Sequence, residues 1–481
     1  MPEDFTKEDI IRYIEENGIR RLNFRYVAGD GRLKTLNFII TSKKYLDSLL
    51  SSGERVDGSS LFPFLATSRS DLYVVPRFRT AFLNPFTEKP TVDLLCSYYE
   101  STGKPFPSSP ENILRKAHET FQRETGLSLH AMGELEYYTI TERNDLYPIK
   151  PQKGYKESQP FTKMEHVRVD AMDALAQIGC AIKYGHSEVG CIYDGSRYME
   201  QSEVELLPVP IEDAADHVVL ARWAIRMVGM RHGVTVSFAP KITVGHAGSG
   251  LHIHMMLVRD GKNVTFRDGK MSDETKKMIA GILKLTPSLT SFGNTVPTSY
   301  LRLVPHQEAP TNIVWGEMNR TALIRVPLGW HGVSSMVSHA NPKEKKLNVD
   351  SSGKATIEFR CPDGSADIYQ LLAGIAVAAR YGFAQPDAIQ FAEKLYVKRG
   401  EKIHENIQTD PTMPRLPSSC DESADMLERH RDIYEMDATF PTEVIDGCLR
   451  KLRSYNDRNL NISKMTDADI KKLTEEFIHC A

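Results

Sequence analysis

The sequence predicts an α+β fold with two domains, a smaller one over residues 1–105 and a larger one over residues 106–481. Its strand-like segments alternate apolar and polar residues, which is typical of half-buried, mostly antiparallel strands and not of a buried parallel sheet. Helical segments lie between the strands, and a turn-rich segment, 101–110 (STGKPFPSSP), divides the two parts. A chain of 481 residues is long enough for more than one core.

The first domain begins with a short helix predicted over residues 7–17. Strands predicted at 22–26 and 36–40 are joined by the Gly-Asp-Gly turn at residues 29–31, which favours a hairpin. Two more strand-like segments lie at 72–75 and 91–97.

The second domain is predicted to begin with an amphipathic helix over residues 111–125, entered at a Ser-Pro pair. Strands and helices then alternate. The predicted strands cover residues 134–140, 251–258 and 355–360, and the predicted helices cover residues 167–178, 211–232, 273–285 and 369–381. A polar, helical region begins near residue 422. This order predicts an antiparallel sheet flanked by helices.

The composition argues against several classes of partner. The formal net charge is −3, from 60 basic and 63 acidic residues, so no bulk field favours nucleic acid or an anionic membrane. The first 18 residues do not resemble a signal peptide, and no run of 18 apolar residues occurs. The seven scattered cysteines are expected to be reduced thiols. We therefore expect a cytoplasmic protein.

Three predicted strands each carry two polar side chains at positions i and i+2, which places both on one face. The pairs are Glu134 with Glu136, His252 with His254, and Glu358 with Arg360. The histidine pair follows a Gly-Ser-Gly segment, 248–250, where a backbone without side chains can approach a ligand closely. Each pair alone is equally compatible with a solvated strand face or a local ion pair.

Taken together, these carboxylates and imidazoles favour a site for hard divalent cations. Glu188 and Glu203 add two more carboxylates. Oxygen-rich ligands suit Mg²⁺ or Mn²⁺ and argue against structural zinc. Two such ions could neutralise a triphosphate during phosphoryl transfer. Four arginines in apolar or turn-like segments favour anionic substrates: Arg302, Arg320, Arg325 and Arg360.

These residues belong to segments in which the chain resembles the glutamine synthetase family, and the resemblance covers residues 5–385. The resemblance consists of eight motifs in order along the chain. They are 56–60 (VDGSS), 133–136 (GELE), 186–189 (HSEV), 248–254 (GSGLHIH), 299–305 (SYLRLVP), 308–310 (EAP), 319–327 (NRTALIRVP) and 357–363 (IEFRCPD). It implies an N-terminal β-grasp domain, a larger catalytic domain, and active sites between subunits of a homo-oligomer, a dodecamer of two stacked hexamers.

The resemblance also implies roles for individual residues, with two or three Mg²⁺ or Mn²⁺ ions per site. One ion would be held by Glu136, Glu188 and Glu203, and another by Glu134, His252 and Glu358. His254 and Arg325 would contact the phosphates of ATP. Gly248, Arg302 and Arg360 would hold glutamate.

The implied reaction is attack of the glutamate γ-carboxylate on ATP, which gives an acyl phosphate that ammonia then displaces. Arg320 would stabilise the transferred charge. Asp57 would deprotonate the incoming ammonium, Glu308 would close over the intermediate, and Tyr155 would line the ammonium pocket.

Three positions depart from the family pattern. Ala247 stands where the family has an asparagine in the glutamate loop, Thr356 where it has an arginine, and Met256 where it has a serine. The spacing between Glu188 and Glu203 is also longer than in the family, so Glu200 or Glu205 could replace Glu203 as a ligand, although Glu203 best preserves the family motif. These changes predict a weakened or altered substrate site.

Three functions therefore remain open on the sequence. The first is a glutamate–ammonia ligase. The second is a γ-glutamyl ligase for a larger amine, such as a polyamine or ethanolamine. The third is a catalytically silent assembly protein, against which the retained metal ligands and arginines argue.

Overall fold

A computed structural model describes residues 5–65, 70–305, 309–327, 336–345, 354–398 and 413–480. The N-terminal part is a six-stranded sheet with helices against it. Its strands are β1 (Arg21–Val27), β2 (Leu33–Ile39), β3 (Glu54–Asp57), β4 (Asp71–Pro76), β5 (Phe82–Leu83) and β6 (Thr91–Glu100). Its helices are α1 (Lys7–Glu16), α2 (Lys43–Ser52) and α3 (Gly58–Leu61).

The sheet runs in the order β2-β1-β6-β4-β3, with β5 beside β6. β1 and β6 are parallel, and the other neighbours are antiparallel. Helix α1 begins at Thr6, whose side chain accepts a hydrogen bond from the backbone of Asp9 in a capping box. Its three isoleucines, Ile10, Ile11 and Ile14, are buried in the core under the sheet. The predicted β1–β2 hairpin is confirmed.

The larger part contains a ten-stranded sheet. Its strands and those of a small separate hairpin are β7 (Ser128–Glu142), β8 (Ile182–Asp194), β9 (Arg197–Leu206), β10 (Val209–Pro210), β11 (Thr235–Ser237), β12 (Leu251–Arg259), β13 (Lys262–Asn263), β14 (Phe266–Arg267), β15 (Lys270–Met271), β16 (Trp315–Glu317), β17 (Ile324–Val326) and β18 (Ile357–Phe359). The main order is β16-β17-β18-β12-β7-β9-β8. Every neighbouring pair in this sheet is antiparallel except β16 with β17. The mostly antiparallel prediction is confirmed.

Helices cover one side of this sheet and continue to the C-terminal end. They are α4 (Pro110–Thr125), α5 (Glu165–Ile178), α6 (Ile211–Arg231), α7 (Asp273–Gly293), α8 (Pro297–Arg302), α9 (Met336–Ala340), α10 (Ile368–Ala384), α11 (Ala388–Lys394), α12 (Cys420–Arg429), α13 (Arg431–Glu435), α14 (Thr442–Ser454) and α15 (Asp467–Glu476). Helix α7 extends past the predicted end at residue 285 and through Pro287. It is buried almost throughout against α10, so tertiary packing outweighs the local cost of the proline.

Two arginines of the smaller part bind acidic residues of α6 across the contact between the two parts. Arg77 donates to both carboxylate oxygens of Asp216, at 2.7 and 2.9 Å, and Tyr369 of α10 donates to the same carboxylate. Arg79 pairs with Asp213 one turn away. Asp216 is buried, so this contact has little water to screen it.

The described residues include all seven cysteines, and none of these forms a disulfide. Within the same residues, every helix is too short or too polar to cross a bilayer.

Candidate active site

Six neighbouring strands of the larger sheet bring polar side chains together on one face. Directly opposed residues of antiparallel strands point to the same side of a sheet. The opposed pairs are Glu134 with His252, Glu136 with Glu203, His254 with Glu358, His186 with Glu203, and Arg325 with Glu358. The i and i+2 pattern predicted on the separate strands thus becomes one continuous polar surface.

The loop before β12 lies close to this surface because it contains glycines. A Cβ atom at Gly250 would lie 2.5 Å from an Arg302 guanidinium nitrogen and 2.8 Å from the His252 ring. A Cβ atom at Gly248 would lie 2.4 Å from the carbonyl oxygen of Pro240. Any larger residue would push the loop away from the sheet, so both glycines are needed for the close approach.

A cavity of about 790 Å³ opens over the polar surface. Its lining combines carboxylates, cations and aromatic rings: Glu134, Glu136, Gln152, Lys153, Tyr155, Lys156, Tyr184, His186, Glu188, Val189, Gln201, Glu203, Ala247, Gly248, His252, Arg302, Arg320, Thr321, Arg325, Glu358 and Arg360. The volume lies within the range of small-molecule sites.

Two groups of ligand atoms lie within this cavity wall. In the first, the two oxygens of Glu134 lie 3.0 Å from Nδ1 of His252 and 2.9 Å from Nε2 of His254, and Glu358 lies 3.5 Å from His252. In the second, Nε2 of His186 lies 3.1 Å from Glu203, and Nδ1 lies 3.7 Å from Glu188. Three overlapping sets of side chains each bring their ligand atoms within 4.8 Å of one another. The sets are Glu134, Glu203 and His252; Glu134, His254 and Glu358; and His186, Glu188 and Glu203.

The charges of these groups are strongly coupled. Burial raises the pKa of Glu203 well above its usual range, and the neighbouring carboxylates Glu134, Glu136 and Glu188 raise it further. Burial acts in the same direction on the pKa of Glu134, but the imidazoles of His254 and His252 outweigh it and lower that pKa. Crowded carboxylates with imidazole are a donor set that fits divalent cations, since a cation would relieve their repulsion.

Glu136 is held by the loop as well as by the sheet. The backbone N–H of Gly250 donates to its carboxylate at 2.7 Å, and the side-chain amide of Gln201 lies 3.3 Å from the same oxygen. The Gln201 amide also donates to the carbonyl oxygen of Gly248 at 2.9 Å. Gln201 thus joins β9 to the glycine loop and fixes the carboxylate between them.

Three of the predicted arginines are anchored in the same cavity wall. Arg325 donates to Glu358 at 2.8 Å, and Arg360 donates to the other oxygen of that carboxylate. Arg302 donates to the carbonyl oxygens of Cys361 and Arg360, at 2.9 and 3.2 Å. Arg320 lies on the exposed side of the cavity. Guanidinium groups held in this way are suited to carboxylate or phosphate oxygens.

The alternatives to Glu203 have other partners. Glu200 accepts hydrogen bonds from the backbone N–H groups of Lys163 and Met164 at the start of α5, at 2.7 and 3.1 Å. Glu205 is buried and pairs with Lys183. The residues between Glu188 and Glu203 complete the β8–β9 hairpin, with a bulge between 187 and 191, and Glu203 lies opposite Glu136.

Most of the predicted site residues line the cavity. His254 lies buried beside it, against Glu134. Asp57 does not line it; it lies at the end of β3, where the hydroxyls of Ser59 and Ser60 donate to its carboxylate, each at 2.7 Å. Glu308 lies outside the described residues. The assignments of roles to all these residues stay predictions.

Several lining residues were not among the predicted ones. Lys153 and Lys156 flank Tyr155, and Tyr184 lies two residues before His186 on the same strand face. Gln201 likewise lies two residues before Glu203, on the same face of β9. The period of two that identified the acids would also have found Tyr184 and Gln201.

Two of the three departures from the family pattern have local explanations. The backbone N–H of Ala247 donates to the side chain of Gln152 at 2.7 Å, so Gln152 brings an amide to the loop where the family has asparagine. The Thr356 hydroxyl lies 2.8 Å from Nδ1 of His254. The structure gives no account of Met256.

Comparison with known proteins agrees with this architecture. The sequence model of the glutamine synthetase catalytic domain matches residues 107–457, and that of the glutamine synthetase β-grasp domain matches residues 18–101. The glutamine synthetase of Thermotoga maritima is 31% identical over 88% of this chain and 90% of the relative. That of Frankia alni is 28% identical over 93% of this chain and 95% of the relative.

Solved structures share the fold at lower identity. Plasmodium falciparum glutamine synthetase superposes with a TM-score of 0.77 at 19% identity, covering 97% of this chain and 98% of its own. GmaS in complex with ADP superposes with a TM-score of 0.75 at 17% identity, covering 96% and 99%. The predicted β-grasp domain and larger catalytic domain are confirmed, and the division at residue 105 stays a prediction. From its N-terminal sheet to its polar cavity, the chain belongs to the glutamine synthetase family.

Proposed function

We propose that this protein is an ATP-dependent ligase that forms an amide at the γ-carboxylate of glutamate, with ammonia as the amine. The observation that carries the proposal is the single cavity in which five carboxylates, His252 and four arginines converge. The site combines acids and imidazoles, where cations would bind, with guanidinium groups, where anions would bind, and the two sets meet at Glu358. A phosphoryl-transfer site for an anionic acceptor requires both.

The donor set fits two or three Mg²⁺ or Mn²⁺ ions. Glu134, His252 and Glu358 would hold one, and Glu136, Glu188 and Glu203 another. His186 is an additional donor beside Glu203, at 3.1 Å, which the family assignment did not include. When bound, such ions neutralise the phosphate charge and stabilise its transfer.

The chain's own residues position the substrates. Arg302 and Arg360, with the backbone of Gly248, would bind the carboxylates of glutamate, since the two guanidinium groups are already fixed by backbone and Glu358 contacts. Arg325 and His254 would contact the phosphates of ATP. The γ-carboxylate of glutamate then attacks the γ-phosphorus, ADP leaves, and Arg320 stabilises the charge on the transferred group.

Ammonia would enter beside Tyr155, whose ring centroid lies 5.6 Å from that of His186. The hydroxyl of Ser60, then that of Ser59 and its backbone N–H, lower the pKa of Asp57 to about 2, so this carboxylate is ionised and attracts ammonium. Its acceptance of a proton requires those serine contacts to loosen. Because Asp57 does not line the cavity of its own chain, we propose that it acts in the site of a neighbouring copy within a ring of a dodecamer, with Glu308 closing over the intermediate.

A second candidate is a γ-glutamyl ligase for a larger amine. The side chains of Tyr155 and Tyr184 are 43% and 41% exposed at the cavity, so the acceptor end has room beyond one ammonium ion. Ammonia and the larger amine would use the same acyl phosphate. A silent assembly protein is a weaker alternative, because it would not need an aligned set of ligands across five strands.

The test measures ADP release with Mg²⁺ or Mn²⁺, ATP and glutamate, in parallel with ammonium, methylamine, ethanolamine and putrescine, and identifies the product by mass spectrometry. Ammonium should give glutamine. Release with only one of the other amines would replace ammonia by that amine. Glu134→Ala and His252→Ala should abolish the reaction, whereas Glu119→Ala, an exposed carboxylate on α4, should not. Absence of ADP release with every amine would leave only the silent alternative.

A further inference from the structure

A second cavity lies between the two domains, away from the polar site. Its volume is about 540 Å³, and its walls come from the loop after β1, the residues that follow β3, and helix α14. The apolar part of the wall includes Phe62, Phe64, Val444 and Leu452. Domain interfaces are common positions for small-molecule sites, and the volume suits a ligand with one ring.

The charges at this cavity favour an anion. Asp30 is paired with Lys34 at 2.6 Å, and the Asp367 carboxylate accepts two hydrogen bonds from Gln370, at 3.2 and 2.9 Å. Burial raises the pKa of Asp367, and the Gln370 N–H and the charge of Lys451 oppose that rise, so Lys451 acts on this carboxylate without a direct ion pair. Two cations of α14, Arg450 and Lys451, form no ion pair with any residue of the described chain.

Helix α14 keeps this cavity open at Gly447. Glycine in the middle of a helix is unfavourable relative to alanine, and the conformation here is ordinary for a helix. A Cβ atom at Gly447 would meet only Phe64, at 3.6 Å, which is ordinary van der Waals contact. Alanine would fit, and a longer side chain would project into the cavity.

We propose that this interdomain cavity binds a small amphipathic anion, with an apolar ring against Leu61 and Phe64, which are partly exposed in its wall, and a carboxylate or phosphate against Arg450 and Lys451. The ring would replace water in the apolar part, and the two cations would supply charge-assisted hydrogen bonds.

The cavity is connected to the proposed function by one residue. Ser60 lines the cavity, and its hydroxyl donates to Asp57 at 2.7 Å. Occupancy of the cavity therefore changes the position or hydrogen bonding of Asp57 and with it the rate of ligation. This coupling, but not the binding, rests on the proposed function of Asp57.

Isothermal titration calorimetry on the full-length protein tests the binding with three probes. They are 3-phenylpropionate, phenyl phosphate and the neutral 3-phenylpropanamide. One of the two anions should bind at least about tenfold more tightly than the amide, since one charge-assisted hydrogen bond is sufficient for that factor. The anion that binds identifies the carboxylate or the phosphate class.

Arg450→Ala/Lys451→Ala should weaken binding of the anion at least about tenfold, because both cationic partners are removed. Both side chains are exposed, so their loss leaves the fold intact. Lys471→Ala/Lys472→Ala on α15 is the matched control and should leave the affinity unchanged. Gly447→Leu should abolish binding by filling the cavity, and Gly447→Ala should retain it. The proposal would be overturned if the amide and the anions bound equally well. It would also be overturned if both Arg450→Ala/Lys451→Ala and Gly447→Leu kept the affinity of the wild type for the anion.

The coupling is read from ADP release. The anion should change the rate of ADP release by the wild-type protein. At the same anion concentration, the rate of Arg450→Ala/Lys451→Ala should not change. Binding without any rate change overturns the coupling alone. If the protein releases no ADP, the proposed function fails, and calorimetry still decides the binding.

Discussion

Replacing Arg77 by methionine should weaken the contact between the two domains much more than the same change at Arg79. Arg77→Met keeps the aliphatic length but removes both hydrogen bonds to Asp216, at 2.7 and 2.9 Å. Asp216 is then left buried with only the hydroxyl of Tyr369 as a donor. Arg79→Met breaks the neighbouring pair with Asp213.

The expected difference follows from exposure. The side chains of Arg77 and Asp216 are 19% and 5% exposed, whereas those of Arg79 and Asp213 are 44% and 28% exposed. Removing one partner of a buried pair costs about 3–5 kcal/mol, and an exposed pair contributes about 0–1 kcal/mol. Because Arg77 is partly exposed, we expect a loss of about 3 kcal/mol for Arg77→Met and under about 1 kcal/mol for Arg79→Met.

Equilibrium urea unfolding, followed by circular dichroism at a fixed protein concentration, measures both variants. The comparison is valid where the m values agree with that of the wild type, since a two-domain chain need not unfold in one step. A third variant, Arg77→Met/Asp216→Leu, removes both charges and should recover much of the loss, because no unpaired buried charge remains. Equal midpoints for Arg77→Met and Arg79→Met, or a double variant less stable than Arg77→Met, would refute the reasoning.

Four further outcomes are expected at the candidate active site. Glu203→Gln should weaken Mn²⁺ binding at least about tenfold in calorimetry. Glu200→Gln should leave that binding unchanged and lower the melting temperature, because Glu200 accepts from the backbone N–H groups of Lys163 and Met164 just before α5. Ala247→Asn should lower the KM for glutamate in the ADP-release assay, and an unchanged or raised KM would indicate a pocket rebuilt for another acid. In EDTA, His254→Gln should lower the melting temperature more at pH 6 than at pH 9. Burial lowers the pKa of His254, but Glu134 outweighs it and raises the pKa above the ordinary 6.5. Protonated His254 therefore stabilises the folded protein below pH 6.5, and this stabilisation is lost as the pH rises through the folded-state pKa. A larger effect of the substitution at pH 9 would contradict this sign. Inactive Asp57→Ala and Glu358→Ala proteins, mixed, dissociated and reassembled in equal amounts, should recover about one quarter of wild-type activity if Asp57 acts in the neighbouring subunit, and none if it acts in its own.

The elements that the sequence predicted are those whose periodicity reflects burial on one side. Helix α1, with Ile10, Ile11 and Ile14 on its buried face, and strand β12 were predicted within one residue at each end, whereas β7 was predicted from residue 134 and begins at Ser128. Their apolar positions repeat at the period of the element, because one face packs on a core. Helix α2 was not predicted, although Leu46, Leu49 and Leu50 have the same spacing.

The β8–β9 hairpin was missed for a different reason. Strand β9 is buried along nearly its whole length, yet Glu200, Gln201, Glu203 and Glu205 make it one of the most polar strands in the chain. Its polar residues are buried because they face one another, the loop and α5, and such partners are not visible in a local pattern. The motif found Glu203, but only the register with β7 placed it opposite Glu136.

The separation of the site residues along the chain has a consequence for folding. Glu134, Glu203, His252 and Glu358 lie on four strands that must all be paired before their side chains meet. Contacts between such distant segments form slowly, since each one closes a long loop. A divalent cation added to a refolding chain would therefore find its full set of ligands only after the sheet is complete. Metal uptake followed by stopped-flow would then report the last step of folding. Each tenfold rise in free metal above its Kd would raise the free energy of unfolding by about 1.4 kcal/mol.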